Sequence, residues 1–143
     1  MCIRDSATID LERRRLVAAR GGHTPLIVAS AERSEIVTPD GMVLGLRLPD
    51  APDKFEQVLE EYVRPLAPGD VIVLYTDGIS EATDRAGELF GDANLVRVVT
   101  SQRTQSAAAI RERVLRDVKA FVGDAEPHDD MTMIVLKLTE EAA

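Results

Sequence analysis

The stretch Val71-Ile72-Val73-Leu74-Tyr75-Thr76-Asp77-Gly78 decides how the chain is read. Its first five residues are apolar or aromatic, and Val71, Ile72 and Val73 are β-branched, so the run reads as a strand buried on both faces. Pro65, Pro68 and Gly69-Asp70 punctuate its start, and Gly78 lets the chain turn where the strand ends. Asp77 therefore sits at the exit of a rigid element. A core has no use for an acid there. Such a residue either caps the following turn or holds a cation, and the octamer leaves both open.

Upstream, the pattern is one of short strands joined by polar turns. Ala7-Thr8-Ile9-Asp10-Leu11 and Leu16-Val17-Ala18-Ala19-Arg20 flank the polar connector Glu12 to Arg15 and read as a hairpin. Arg20-Gly21-Gly22-His23-Thr24-Pro25 breaks the second strand. Leu26-Ile27-Val28-Ala29 and Glu35-Ile36-Val37-Thr38 make a further pair before Pro39-Asp40-Gly41. From Asp53 to Leu66, Phe55, Val58, Leu59, Tyr62 and Val63 recur at helical spacing, which on pattern alone predicts a helix.

Downstream, Asp92 is placed to cap a short helix carrying Leu95, Val96 and Val99. The surest helix spans about Ser106 to Val122, with Ile110, Val114, Leu115, Val118, Phe121 and Val122 as its apolar stripe, Glu112 four residues before Arg116, and Gly123 to end it. Gly87, Phe90 and Gly91 read as a turn and a core anchor. The last strand is Met133-Ile134-Val135-Leu136-Lys137-Leu138, and Asp129-Asp130 stand at its entrance.

Composition narrows the function classes. The chain has 143 residues, enough for one domain, and aromatics are only 3%, so aliphatic side chains must fill the core. Twenty-five acids against 17 bases give a net charge of −8, which argues against a nucleic-acid partner. An acidic protein still binds phosphorylated ligands if a divalent cation mediates. Cys2 is the single cysteine, so no internal disulfide forms and a reducing cytoplasm is the expected setting. No apolar run approaches the ~18 residues of a membrane span.

An isolated Asp-Asp pair in a loop is usually solvated surface. Read together with Asp77, the pair means more. One acid leaves a buried strand and two enter another, so antiparallel pairing of those strands brings all three to one sheet edge. Clustered carboxylates relieve their repulsion by binding a hard divalent cation, and oxygen-only ligation favours Mg2+ or Mn2+ over zinc.

Ala19-Arg20-Gly21-Gly22-His23-Thr24-Pro25, Leu66-Ala67-Pro68-Gly69-Asp70, Tyr75-Thr76-Asp77-Gly78 with Glu81, Phe90-Gly91 and Asp129-Asp130-Met131-Thr132 follow one another in this order. As an ordered set they resemble the motifs of the metal-dependent PPM protein serine/threonine phosphatases, in the SpoIIE-like branch of bacterial signalling. The resemblance implies an α+β fold, a layered sandwich of antiparallel β-sheets flanked by helices, with a two-metal Mn2+ or Mg2+ site. It implies metal-binding positions at Asp77, Gly78, Asp129 and Asp130, and it makes the segment Gln57 to Leu66 a strand rather than a helix. It also implies direct hydrolysis of phosphoserine or phosphothreonine on a protein substrate such as an anti-sigma-factor antagonist. An upstream sensor domain accompanies that reading.

The departures from the family are informative. Arg20 and Gly21 stand where the family usually has Asn and Ala. An aspartate-glycine motif that bridges both metals in the family has no counterpart here. The expected organisation is therefore a C-terminal portion of a catalytic domain over residues 7–139, with 1–6 unmatched and open to being a non-native start, and 140–143 as a tail. Such a chain is expected to have little activity alone. His23 reads as a structural histidine of a turn in preference to a catalytic base, and His128 as an exposed neighbour of the acid pair in preference to a hydrogen-bond partner for a water near the site. Two rival readings exist: a phosphatase-like binding module without turnover, and a receiver-like α/β domain with Asp77 as phospho-acceptor. The second requires strands alternating with helices, which the successive hairpins do not offer.

Overall fold

The computed structural model describes residues 4–46, 54–125 and 129–140, so Cys2 and His128 lie outside the described residues. The chain divides into two compact units, one of residues 1–25 and 37–67 and the other of residues 26–36 and 68–143. Each carries one sheet. No helix among the described residues is long and apolar enough to cross a membrane.

In the first unit, β1 (Ser6–Asp10), β2 (Arg15–Ala19) and β5 (Glu61–Pro65) form a sheet in the order β1-β2-β5. Both pairings are antiparallel, with Thr8 opposite Val17 and Val17 opposite Val63. Arg14 turns the β1–β2 hairpin with φ of 47°, and the Asp10 carboxylate accepts the Arg13 N–H at 2.9 Å. That bond, with the Arg13 charge, holds the Asp10 carboxyl below its ordinary pKa. The segment read as helix by pattern and as strand by resemblance divides: α1 (Lys54–Val58) is a short helix, and the strand begins only at Glu61. The reason is local. The helical spacing of Phe55, Val58 and Leu59 supports a single turn, whereas Tyr62 to Pro65 pair with β2, and a strand tolerates the proline at its end.

The second unit holds β3 (Leu26–Ala29), β4 (Ser34–Val37), β6 (Val71–Tyr75) and β7 (Met133–Lys137) in the order β4-β3-β6-β7. β6 is central and antiparallel to both β3 and β7. Val71, Ile72 and Val73 are inaccessible to solvent, so the strand is buried on both faces as its composition demanded. Gly69, with φ of 90°, turns the chain into β6 and donates to Leu138 O at 2.8 Å.

Beyond β6 come α2 (Asp77–Ser80), α3 (Gly91–Ser101) and α4 (Ala107–Val122). The Ser106 side chain caps α4 by accepting the Ala109 N–H at 3.2 Å, and Gly123 closes it with φ of 61°. Ile110, Val114, Val118 and Val122, one turn apart, are the buried face, and each contributes about 1.5–3 kcal/mol on burial. Leu115 was expected in that stripe and is exposed instead, because it lies one position off the four-residue repeat. The (i, i+4) ion pair on this helix joins Arg113 to Asp117 at 2.8 Å. With α3, the helix buries Val71, Val73, Tyr75, Leu95 and Val99 in one apolar cluster. Phe90 anchors it by an edge contact with Phe121, ring centroids 5.6 Å apart. Successive hairpins and antiparallel registers leave no room for the receiver-like alternative.

Candidate metal centre

The strand pairing places the acids. The β6–β7 register ends with Tyr75 opposite Met133. One step further, Thr76 N–H donates to Thr132 O at 3.0 Å, and Thr132 N–H donates to Thr76 Oγ1 at 3.0 Å. Thr76 Oγ1 in turn donates to Asp130 O at 3.1 Å. Asp77 thus leaves the central strand at the same sheet end where Asp129 and Asp130 enter its neighbour.

Gly78 serves this arrangement differently from the turn role its sequence suggested. It lies in the α2 turn without a positive φ. What matters is its missing side chain: a Cβ there would overlap the Asp130 carbonyl oxygen and stand 3.0 Å from its carbon and 3.4 Å from the Asp129 carbonyl carbon. The Asp130 carbonyl packs against a bare Cα.

Both leading acids are oriented by the amide that follows them. Asp77 Oδ1 accepts the Gly78 N–H at 3.0 Å, and Asp129 Oδ1 accepts the Asp130 N–H at 2.7 Å. Asp77, Asp129 and Asp130 are all exposed, and none joins an ion pair among the described residues. Asp77 also opens α2, its carbonyl accepting the Glu81 N–H at 2.7 Å.

Carboxylate and carbonyl oxygens are the donors that Mg2+ and Mn2+ prefer, so the residues fit such an ion in kind. They do not complete its coordination: among the described residues, no three His, Cys, Asp or Glu side chains gather as a metal-holding group.

Two features escaped the sequence reading. Tyr75, buried in the core, donates its hydroxyl to Asp92 Oδ1 at 2.7 Å, so Asp92 fastens α3 to the central strand instead of capping the helix. Burial, followed by the bond and charge of Asp92, pushes the phenol well above its ordinary pKa. The other is the hydroxyl bridge of Thr76. A threonine at a strand exit facing a second threonine at the neighbour's entrance was its only signal. His23 belongs to the first unit, where its N–H donates to Asp5 Oδ1 at 3.2 Å and its Nδ1 meets Thr24 Oγ1 at 2.8 Å. Asp5 also accepts the Gly21 N–H at 2.8 Å, so the carboxylate braces the glycine turn.

Comparison with known proteins places these features in a family. The sequence profile described as stage II sporulation protein E (SpoIIE) matches residues 3–139. The phosphoserine phosphatase RsbU of Bacillus subtilis (strain 168) is 27% identical over 133 residues, which are 92% of this chain and 37% of RsbU. The SiaA-PP2C domain of Pseudomonas aeruginosa superposes with a TM-score of 0.79 at 19% identity, covering 95% of this chain and 51% of that one. The Mn-presoaked phosphatase domain of SpoIIE from Bacillus subtilis gives 0.72 at 19% identity, covering 99% and 58%. The fold is therefore that of these phosphatase domains: antiparallel sheets with flanking helices. The chain spans a little over a third of RsbU and just over half of the two solved domains.

Proposed function

The chain belongs to the stage II sporulation protein E family, and on that premise we propose that it contributes part of the divalent-metal site of a phosphatase acting on phosphoserine or phosphothreonine in a protein substrate. The observation that carries the reading is that Asp77 leaves β6 at the same sheet end where Asp129 and Asp130 enter β7, with the loop seated by Thr76 and closely packed on Gly78.

In this reading Asp77 and Asp129 hold the metal, Asp130 lends a further carboxylate, and Gly78 contributes backbone at the same point. Mn2+ or Mg2+, when bound, supplies Lewis acidity toward water and phosphoryl oxygens. The chain's own part is to hold. The backbone amides of Gly78 and Asp130 fix one oxygen of each leading carboxylate. The Thr76 hydroxyl donates to a carbonyl and offers no free nucleophile. In this reading, as the family resemblance implies, hydrolysis is direct, without a phospho-enzyme, and the remaining ligands come from outside this chain.

The substrate is a phosphorylated protein of the partner-switching kind, an anti-sigma-factor antagonist, in the cytoplasm. An upstream sensor domain governs the activity. One observation favours a second reading, a binding module without turnover: the described residues hold no complete metal-binding group.

The two readings separate in one assay. The full-length protein with Mn2+ is expected to release phosphate from phosphoserine and phosphothreonine peptides, Asp77→Asn to abolish release without unfolding the chain, and the isolated chain to show little turnover. Full activity of Asp77→Asn removes the metal assignment. A wild-type protein that binds the phosphopeptide and never releases phosphate establishes the binding module.

A further inference from the structure

The outward side of α4 carries charge that the fold does not use. Glu112 and Arg116, four residues apart, do not close into an ion pair, and Asp117 is taken by Arg113 at 2.8 Å. Asp124, just past the helix, is held by Arg85, also at 2.8 Å. Arg111, Arg116 and Lys119 are exposed and join no ion pair among the described residues. Lys119 stands in the last turn, where the helix dipole favours a cation, but Arg111, early in the helix, has no such support. Leu115, 39% exposed, lies between them. Arg111, Leu115 and Lys119 follow at four-residue steps and so share one flank, with Arg116 beside Leu115. Glu112 is the one acid of α4 left outside an ion pair.

In a chain of net charge −8, a cationic row around an exposed leucine is a local reversal of sign. We propose that this flank of α4 docks an acidic segment of a partner protein, whose carboxylates meet Arg111, Arg116 and Lys119 while an apolar side chain covers Leu115. Charge complementarity names the occupant, since unpaired cations at close spacing steer and hold an anionic surface. Two of the three are arginines, whose planar fork takes a carboxylate through paired hydrogen bonds. A single helix flank is far smaller than a standard interface, so the contact is weak, weakened further by salt, and adds to binding made elsewhere. The proposal stands apart from the metal-site reading and survives its failure.

The test is a titration of the 15N-labelled full chain with a synthetic helical peptide in which one leucine is flanked by glutamates at four-residue spacing. The same peptide with lysines in place of the glutamates is the control. Amide shifts are expected to concentrate between Arg111 and Lys119, to shrink as salt is raised, and to be missing with the lysine peptide. Combining Arg111→Gln, Arg116→Gln and Lys119→Gln is expected to weaken binding by about tenfold, and Glu112→Gln to strengthen it by about twofold. All four positions are exposed, so the melting temperature is expected to stay at the wild-type value. An acidic peptide that gives no shifts on α4, a lysine peptide that binds equally well, or a triple variant that binds as wild type overturns the proposal. Binding to phosphatidylserine vesicles under conditions where the acidic peptide gives no shifts overturns it as well and assigns the flank to a lipid surface.

Discussion

Replacing Gly78 with alanine sets two opposed effects against each other at one atom. Gly78 has ordinary helical backbone, so alanine is favoured there by about 0.5–1 kcal/mol through reduced freedom of the unfolded chain. Against this, the added Cβ overlaps the Asp130 carbonyl oxygen and crowds its carbon at 3.0 Å. The neighbour is backbone, and it cannot swing aside as a flexible side chain would. Relief requires the Asp130–Met131 peptide to move by several tenths of an ångström, which strains the Thr76 hydroxyl bond at 3.1 Å and, through Thr132, the one at 3.0 Å. Overpacking costs about 1–3 kcal/mol and each hydrogen bond about 1 kcal/mol, so the overlap outweighs the backbone gain. A net loss of about 1–3 kcal/mol is expected, a fall in melting temperature on the order of 5 °C, read by circular dichroism. Gly87→Ala is the matched control: with φ of 83° and open space around it, it costs about 1 kcal/mol through backbone strain and leaves the Thr132 amide untouched. If Gly78→Ala melts at or above the wild-type temperature with unchanged exchange at Thr132, the Asp130 peptide does not pack on Gly78 and the reasoning fails.

Core packing makes a sharper contrast between two leucines. Leu95→Ala, in the buried cluster, is expected to cost about 2–5 kcal/mol in urea unfolding, whereas Leu115→Ala, on the open side of α4, costs less than about 1 kcal/mol. Tyr75 predicts an alkaline limit. Its folded pKa is raised above the ordinary phenol value of 10.0, so the folded chain keeps a proton that the unfolded chain gives up. The stability this contributes is fully present below about pH 10 and declines as pH rises beyond it, by up to ~1.4 kcal/mol per pH unit. Tyr75→Phe removes that portion of the decline, and an unchanged slope in a pH series of urea melts shows that the phenol is not what titrates.

The parts of the fold that were legible are those fixed by local pattern. β6 announced itself because five consecutive apolar residues suit only an element enclosed on both sides, and α4 because Ile110, Val114, Val118 and Val122 repeat at one turn. The segment from 54 to 65 was not legible, since five residues of helical spacing and five of strand pairing adjoin without a break signal. Asp92 looked like a cap because capping is the commoner use of an acid before a helix. Its partner, Tyr75, lies 17 positions away and nothing local reveals it. Gly78 was read as a turn because the sequence records a glycine, not what stands opposite its Cα.

The same distinction explains why the placement of the acids could be reasoned out and their fastening could not. Antiparallel pairing of the strands before Asp77 and after Asp129 is enough to bring the two to one edge, and hydrophobic pattern alone predicts those strands. The fastening depends on a hydroxyl and a missing methyl acting across more than fifty residues of chain. Those organisers share one property: each is uncharged. The groups that orient Asp77, Asp129 and Asp130 are backbone amides, a threonine hydroxyl and a bare glycine, and no lysine or arginine pairs with any of the three among the described residues. A basic partner would have neutralised them. Neutral organisers bring the acids to one sheet end without cancelling their charge, and carboxylates left in that state are the ones to which a divalent cation has the most to contribute.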